Sequence, residues 1–439
     1  MKSLLLIVLL AQPLFALGFA NGIKIGELTP TSVTLWTRTT QHAEARNQVP
    51  NWTKDNPNWT VPGRAAEVRI TLSTRDNQTY QSPWTQTKPT NDFCHQLTIP
   101  KLHPTTTYQL LLEAKTRTKT NSLQSTFTTP PLPTTSQPVT FTISTCQEFN
   151  RTDDPVNGHT IYASMLKLNP HFFIQTGDTL YYDKPKPFAK DLPTARYKWN
   201  RFYAYPNLRT FHNHIPSYWM HDDHDLLKND CWPGQTYGDL TWDQGVQLWN
   251  ENIPQSEKPY RTFRWGQHLQ IWLPEGRYYR SPNKQPDGPN KTIFGKEQWA
   301  WLQKTMTESD ATFKAFVSAT PVVGPDRKNK NDNHANEGFH HEGQKLRNFL
   351  ATIPGLIAIN GDRHWQYHSI DPVTQIHEFG CGPASDQHAG GWNPEDKRPE
   401  HQFLRVQGGF LSVAISPNQA TITHHNVKGL PAYSTTLKP

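Results

Sequence analysis

Five consecutive residues, His221-Asp222-Asp223-His224-Asp225, can each bind a metal ion or move a proton, and they follow the apolar run Ile215 to Met220. Packed carboxylates repel one another, so the cluster costs free energy unless cations neutralise it or the carboxylates share protons. Three more stretches carry residues of the same kind: Thr145-Cys146-Gln147-Glu148, Thr176-Gly177-Asp178-Thr179-Leu180-Tyr181-Tyr182 and Asn360-Gly361-Asp362-Arg363-His364-Trp365-Gln366-Tyr367-His368. Each begins where an apolar, strand-length run ends. Singly, each has an ordinary reading: a Cys in the core, Gly-Asp as a turn, an acidic loop in solvent. Together they point to one site, because open α/β sheets gather their functional groups beyond the carboxyl ends of the strands.

The elements that must position these groups are legible from residue 139 onward. Val139 to Thr145, His171 to Gln175, Ile215 to Met220, Leu269 to Leu273, Phe313 to Ala319, Leu356 to Asn360 and Ile376 to Phe379 read as strands. Helical patterns lie between them at Ile161 to Leu168, Thr194 to Phe211 and Gly295 to Met306, the last with Trp299, Leu302 and Met306 on one face. Alternating strand and helix predicts an α/β domain. Phe410 to Ile415 and Ala420 to His424 predict a hairpin around Pro417-Asn418 that closes a sheet edge, and the last residues are expected to be dispensable.

Before residue 139 the pattern differs. Val33 to Arg38, Ala66 to Ser73 and Tyr108 to Glu113 are short β-rich runs without helical period, which predicts a small sandwich over residues 21–130. Gly26 to Pro30 and Leu102 to Tyr108 suit the loops and corners of a fibronectin type III-like fold. The Pro-rich stretch 131–138 reads as a stiff linker. Residues 1–20 read as an export leader, with Lys2 at the charged end, an apolar stretch, and Gly18-Phe19-Ala20 before Asn21 as a small-residue cleavage site. The expected location is therefore periplasmic or extracellular, without a stable membrane anchor.

Composition agrees with an exported chain of two or three domains. The chain has 439 residues with only 18% charged, below the roughly 25% usual in globular proteins. A net charge of +7 without long Lys/Arg runs predicts attraction to anionic substrates rather than a nucleic-acid-binding module. Asn51, Asn58, Asn77, Asn150 and Asn290 lie in sequons, which matter in a eukaryotic source. Cys94, Cys146, Cys231 and Cys381 are too few for a disulfide scaffold, although Cys231 with Cys381 is a pair that export would permit.

Order and spacing of the motifs resemble the PhoD-like, or alkaline phosphatase D, family of calcineurin-type metallophosphoesterases. The resemblance rests on Cys146-Gln147, Gly177-Asp178 with Tyr181 three residues on, Asp222-Asp223-His224-Asp225, Glu275-Gly276-Arg277-Tyr278-Tyr279-Arg280, Gly295 to Leu302, and Gly361-Asp362-Arg363-His364. It implies an α/β (α+β sandwich) catalytic domain over 139–439, a four-layer fold of two facing mixed sheets flanked by helices. It also implies a metal-dependent phosphatase in which a metal-activated hydroxide attacks phosphorus. Asp178 would bridge two metals; Cys146 and Tyr181 suit ferric iron, which the family places beside calcium, other divalent ions being alternatives. Asp223, Asp362 and His364 complete the implied ligand set, with Asn229 a further candidate.

In the same reading His224 donates a proton or hydrogen bond to the leaving group, and Asp222 or Asp225 orients its imidazole. Arg277 and Arg280 clamp phosphate oxygens, an ordinary ion pair being the alternative. Glu275 stands where the family commonly has Asp, and Asn331 to Phe339 replaces a Trp-containing motif. His334, His340 and His341 are therefore expected at the rim or in solvent. Substrates would be small or polymeric phosphate esters, monoesters or diesters. The alternatives are a phospholipase-type phosphodiesterase and, from another class, a secreted glycan- or surface-binding protein with a degenerate catalytic domain.

Overall fold

This computed structural model describes residues 17–45, 61–256 and 258–439. The sequons at Asn51 and Asn58 and most of the expected leader lie outside the described residues. Residues 17–20, at the leader's expected cleavage site, are buried, and Gly18 forms a β-bridge with Thr40. Among the described residues no helix is long and apolar enough to cross a membrane.

The strands expected from residue 139 onward form the centres of two large mixed sheets. Val139–Ser144, Phe172–Thr176 and Ser217–Met220 run parallel in a nine-stranded sheet. Leu269–Leu273, Phe313–Ser318, Leu356–Asn360 and His377–Cys381 run parallel in a seven-stranded sheet. Alternation sorts their side chains: Phe172 and Ile174 join Leu269, Ile271, Phe313, Ile357 and Phe379 in the apolar layer between the sheets. Phe173 and Trp219 point the other way, into a layer with the helices Thr160–Lys167, Leu192–Phe202, Pro206–His214 and Trp242–Asn252. Trp272, Phe316 and Ala358 meet the helices Gly295–Thr307 and His340–Leu350 on the far side. The result is helix, sheet, sheet, helix, with strands apolar on both faces because both are covered.

Four expectations need correction. The helix expected over 194–211 is two helices, since Pro206 has no amide to continue the first and stands at the start of the second. The terminal residues, expected to be dispensable, belong to the fold: Pro431–Leu437 is the edge strand of the nine-stranded sheet, paired with Gln419–Asn426. His334 is buried, its Nε2 3.1 Å from Glu342, whereas His340 and His341 are exposed on the last helix. All four cysteines are free and buried; Cys231 approaches the Asp223 carbonyl at 3.2 Å while Cys381 lies in the layer between the sheets.

The N-terminal region does consist of two facing sheets. Ile23–Thr29, Ser32–Arg38 and Cys94–Pro100 form one, and Glu67–Ser73, Thr107–Lys115 and Thr120–Thr128 with two short strands form the other. The first is continuous with the nine-stranded sheet, because Ile23–Thr29 pairs in parallel with Ser217–Met220. Tyr218 donates to the Leu28 carbonyl at 2.6 Å across this seam. The two regions therefore share one sheet and one apolar core.

Both large sheets converge where Gly361 follows Leu356–Asn360. A Cβ there would lie 2.6 Å from the Thr145 and Thr176 hydroxyls and the Thr176 carbonyl. Gly361→Ala is expected to lower stability by about 1–3 kcal/mol through overpacking, read as a lower denaturant midpoint at unchanged slope. An unchanged midpoint would show that the two sheet ends have room to separate.

Candidate metal centre

Three residues singled out from the sequence have left-handed backbones directly beyond strand ends. Cys146 has φ 50°, Asp178 φ 52° and Asp362 φ 61°. Such geometry costs an L residue roughly 1–2 kcal/mol, and it persists where surrounding contacts hold it. Here the Cys146 amide donates to the Gly177 carbonyl at 3.3 Å and the Gln147 amide to the Asp178 carbonyl at 3.0 Å. The Asp362 amide donates to the Thr145 hydroxyl at 3.2 Å, joining the late strand to the first.

These turns bring the side chains together. Asp178 Oδ2 lies 3.4 Å from Cys146 Sγ and 2.8 Å from the Tyr181 hydroxyl. Its other oxygen, Oδ1, is buried without a hydrogen-bond partner. Two sets of ligand atoms lie mutually within 4.8 Å: Cys146, Asp178 and His364 in one, Asp178, Asp223 and His224 in the other. Asp178 belongs to both. Thiol, phenol, imidazole and carboxylate donors gathered in this way are a set that fits metal ions.

The electrostatics describe a site crowded with negative charge. Burial, with Asp223, Asp362 and Asp225 nearby, raises Asp178 to about 8 against the pull of His224. Burial likewise raises Asp222, Asp225, Cys146 and Tyr181 well above their ordinary values. Burial would raise Asp223 too, but Arg277, His224 and the Asp230 amide outweigh it and hold that carboxyl low. Burial opposes charge on His224, yet Asp223, Asp178 and a hydrogen bond to Asp183 push it up to about 10.

The partner of His224 is a residue that sequence reading passed over. Its Nδ1 lies 2.6 Å from Asp183 Oδ1, and the other Asp183 oxygen accepts the Asn229 amide at 3.0 Å. Asp222 and Asp225 are engaged elsewhere. Asp222 pairs with Arg277, while Asp225 accepts the amides of Leu180 at 2.9 Å and Asp222 at 2.8 Å in a capping box. Asn229 itself is exposed, and its backbone amide rather than its side chain meets Asp183. Asp183 lay five residues past Asp178 in the same loop, a signal available in hindsight.

The two arginines differ. Arg280 is committed to the carbonyls of Gly276 at 3.0 Å and Asp332 at 2.8 Å. Arg277 pairs with Asp222 and lies 3.8 Å from Asp223, and its Nη1 and Nη2 are buried without hydrogen-bond partners. His388 was also missed: its ring is 4.1 Å from that of His364, and its Nδ1 is 3.0 Å from the Cys146 carbonyl. Nothing in the loop-like stretch around it marks this histidine. Trp365 packs on Trp392, and His368 bonds to Tyr433 and His377, so both belong to packing.

A family model described as PhoD-like phosphatase matches residues 141–407. Alkaline phosphatase D of Bacillus subtilis (strain 168) is 22% identical over 349 residues, covering 64% of this chain. The match spans 58% of that relative's length. Among solved structures, one of PhoD superposes with a TM-score of 0.77 at 17% identity, covering 98% of this chain and 90% of the other. The purple acid phosphatase PPD1 from yellow lupin (Lupinus luteus) seeds gives 0.68 at 13% identity, covering 96% and 74%. At these identities the structural likeness speaks for the fold.

Folded Asp178 keeps its proton up to about 8, whereas an unfolded aspartate loses it near 4. Folding therefore takes up a proton between those values, and this group's contribution makes the metal-free chain less stable as pH rises through them. His224, raised to about 10, adds a loss of the same sign above roughly 6.5. Chelator-treated protein is expected to melt at falling temperature from about pH 5 to about pH 8.5, and excess divalent cation to flatten the trend. A melting temperature rising across that range in the chelated protein would contradict this assignment.

Proposed function

This chain belongs to the PhoD-like phosphatase family, and from that premise we propose that it is an exported, metal-dependent phosphoesterase acting on phosphate esters. The observation that carries the reading is Asp178, a buried carboxylate shared by two ligand sets with one oxygen lacking a hydrogen-bond partner. Asp178 would bridge two ions, Cys146, Tyr181 and His364 would hold the first, and Asp223 and Asp362 the second. Thiolate and phenolate favour ferric iron there, and the carboxylates favour calcium. When bound, such ions neutralise the ester's charge and generate hydroxide at ordinary pH. Export is proposed from the leader-like residues 1–20.

The chain's own groups supply the remaining chemistry. In the metal-free chain the acidic neighbours of His224 favour its protonated form, and the hydrogen bond from Nδ1 to Asp183 fixes the ring. Nε2 is then the nitrogen that gives its proton to the leaving oxygen. Arg277 has two Nη atoms left over for phosphate oxygens, which Arg280 lacks the freedom to match. Asp222 holds Arg277 in place rather than orienting His224.

Elemental analysis of the purified protein, paired with hydrolysis of matched phosphate monoesters and diesters, tests the reading and sorts the substrate class. Iron with calcium is expected in the unmodified protein, and Asp178→Asn is expected to lose both metal and hydrolysis. Purified protein that holds no metal and hydrolyses no phosphate ester would end the phosphoesterase reading and leave the binding-protein alternative, whereas hydrolysis unchanged by Asp178→Asn would remove Asp178 from the catalytic centre. Asp183→Asn should lower kcat by about 10–100-fold, in the manner of a lost supporting hydrogen bond, with metal content retained. A kcat unchanged by Asp183→Asn would show that the Asp183 hydrogen bond does not support His224 in turnover.

A further inference from the structure

Lys198 lies on the helix Leu192–Phe202 with its ammonium group buried. Its Nζ is 2.7 Å from the Tyr181 carbonyl, 2.9 Å from that of Lys184 and 2.8 Å from that of Pro185. An ammonium carries three donors and no acceptor, so three converging carbonyls satisfy it completely. Burial and the Arg201 guanidinium push this group down to about 6, against Asp183 and Glu148. A neutral amine would turn a lone pair toward one of the three oxygens, so the geometry selects the charged form.

The three acceptors bracket Asp183. One stands two residues before it and the others one and two residues after it. Within this loop the Tyr181 hydroxyl donates to Asp178, and Asp183 accepts from His224. The same helix ties the loop a second time, where Trp199 Nε1 donates to the Tyr182 hydroxyl at 2.8 Å. Burying an ammonium is costly, and an apolar side chain would fill this volume without the desolvation penalty. What the ammonium adds is a fixed main chain on both sides of Asp183.

We propose that Lys198 is a positioning residue, whose ammonium clamps the Tyr181–Pro185 main chain and thereby places Asp183 against His224. It acts through Asp183 and does not touch substrate. The role in turnover rests on the phosphoesterase reading; the clamp itself does not. A misplacement of about 1 Å in such a support costs on the order of a hundredfold in rate.

Hydrogen–deuterium exchange of metal-free protein reads the clamp directly. Lys198→Met is expected to speed exchange in peptides spanning residues 179–187 and leave the two large sheets unchanged. Kinetically, Lys198→Met should lower kcat by about 10–100-fold with KM within about twofold. In an Asp183→Asn background the same change should cost less than about twofold more, because the two substitutions remove one function. Lys198→Gln, which keeps two donors, serves if the Met variant does not fold, and should fall between Met and the unmodified protein. Unaltered exchange over 179–187, exchange raised uniformly along the chain, or losses that multiply fully in the double variant would each overturn the proposal. Activity of the unmodified protein and its loss in Asp178→Asn report on the phosphoesterase reading separately.

Discussion

Like charge buried at the meeting point of two sheets is the constraint on which this structure turns. Asp178, Asp222 and Asp223 are buried within one small volume, and Asp362 feels the same field. Such a cluster is tolerable only with counter-charge, proton sharing or bound cations. The chain supplies part of the counter-charge itself. Arg277 pairs with Asp222, and Arg363 pairs with Asp362, with Asp326 at 2.5 Å and with Asp332 at 3.3 Å. Among the described residues no arginine pairs with Asp178, and it is the residue common to both ligand sets. The arrangement neutralises the periphery and leaves the centre short of positive charge.

The scaffold answers the same constraint. Parallel strands buried on both faces deliver their carboxyl ends to one edge, and the left-handed turns at Cys146, Asp178 and Asp362 redirect the chain there. Continuity of the N-terminal sandwich with the nine-stranded sheet, through Ile23–Thr29 beside Ser217–Met220, backs the strand that leads to Asp223 and His224. On the outer face, the helix Leu192–Phe202 steadies the loop beyond Asp178. Rigid elements thus surround a site made almost entirely of loop residues, the usual division between scaffold and function.

The expected strands at 139–145, 269–273 and 356–360 matched the structure closely because apolar runs of that length have few other uses. The helix at 340–350 was missed because its first turn, His340-His341-Glu342-Gly343, is polar and contains glycine. The β-rich character of the N-terminal region was legible in its short runs without helical period. Its fusion to the second region was invisible, because a single parallel pairing between distant strands leaves no local pattern.

For the centre, residue type and position after strands marked the four stretches that hold Cys146, Asp178 and Tyr181, Asp223 and His224, and Asp362 and His364, while the role of each residue came from the family resemblance. Sequence could not apportion the supporting roles. Asp222 and Asp225 adjoin His224 in the chain, yet Asp183, forty-one residues before it, holds the imidazole. Neighbours in a tight turn project in different directions, so adjacency along the chain says little about contact. Lys198 and His388 carried no signal at all, because an isolated lysine in a helix and a histidine in a loop are ordinary until folding surrounds them. The amino-acid sequence determined which chemistry this protein carries and on which strands; the tertiary structure alone decided which buried charges face one another, because that depends on distances set by packing two sheets together.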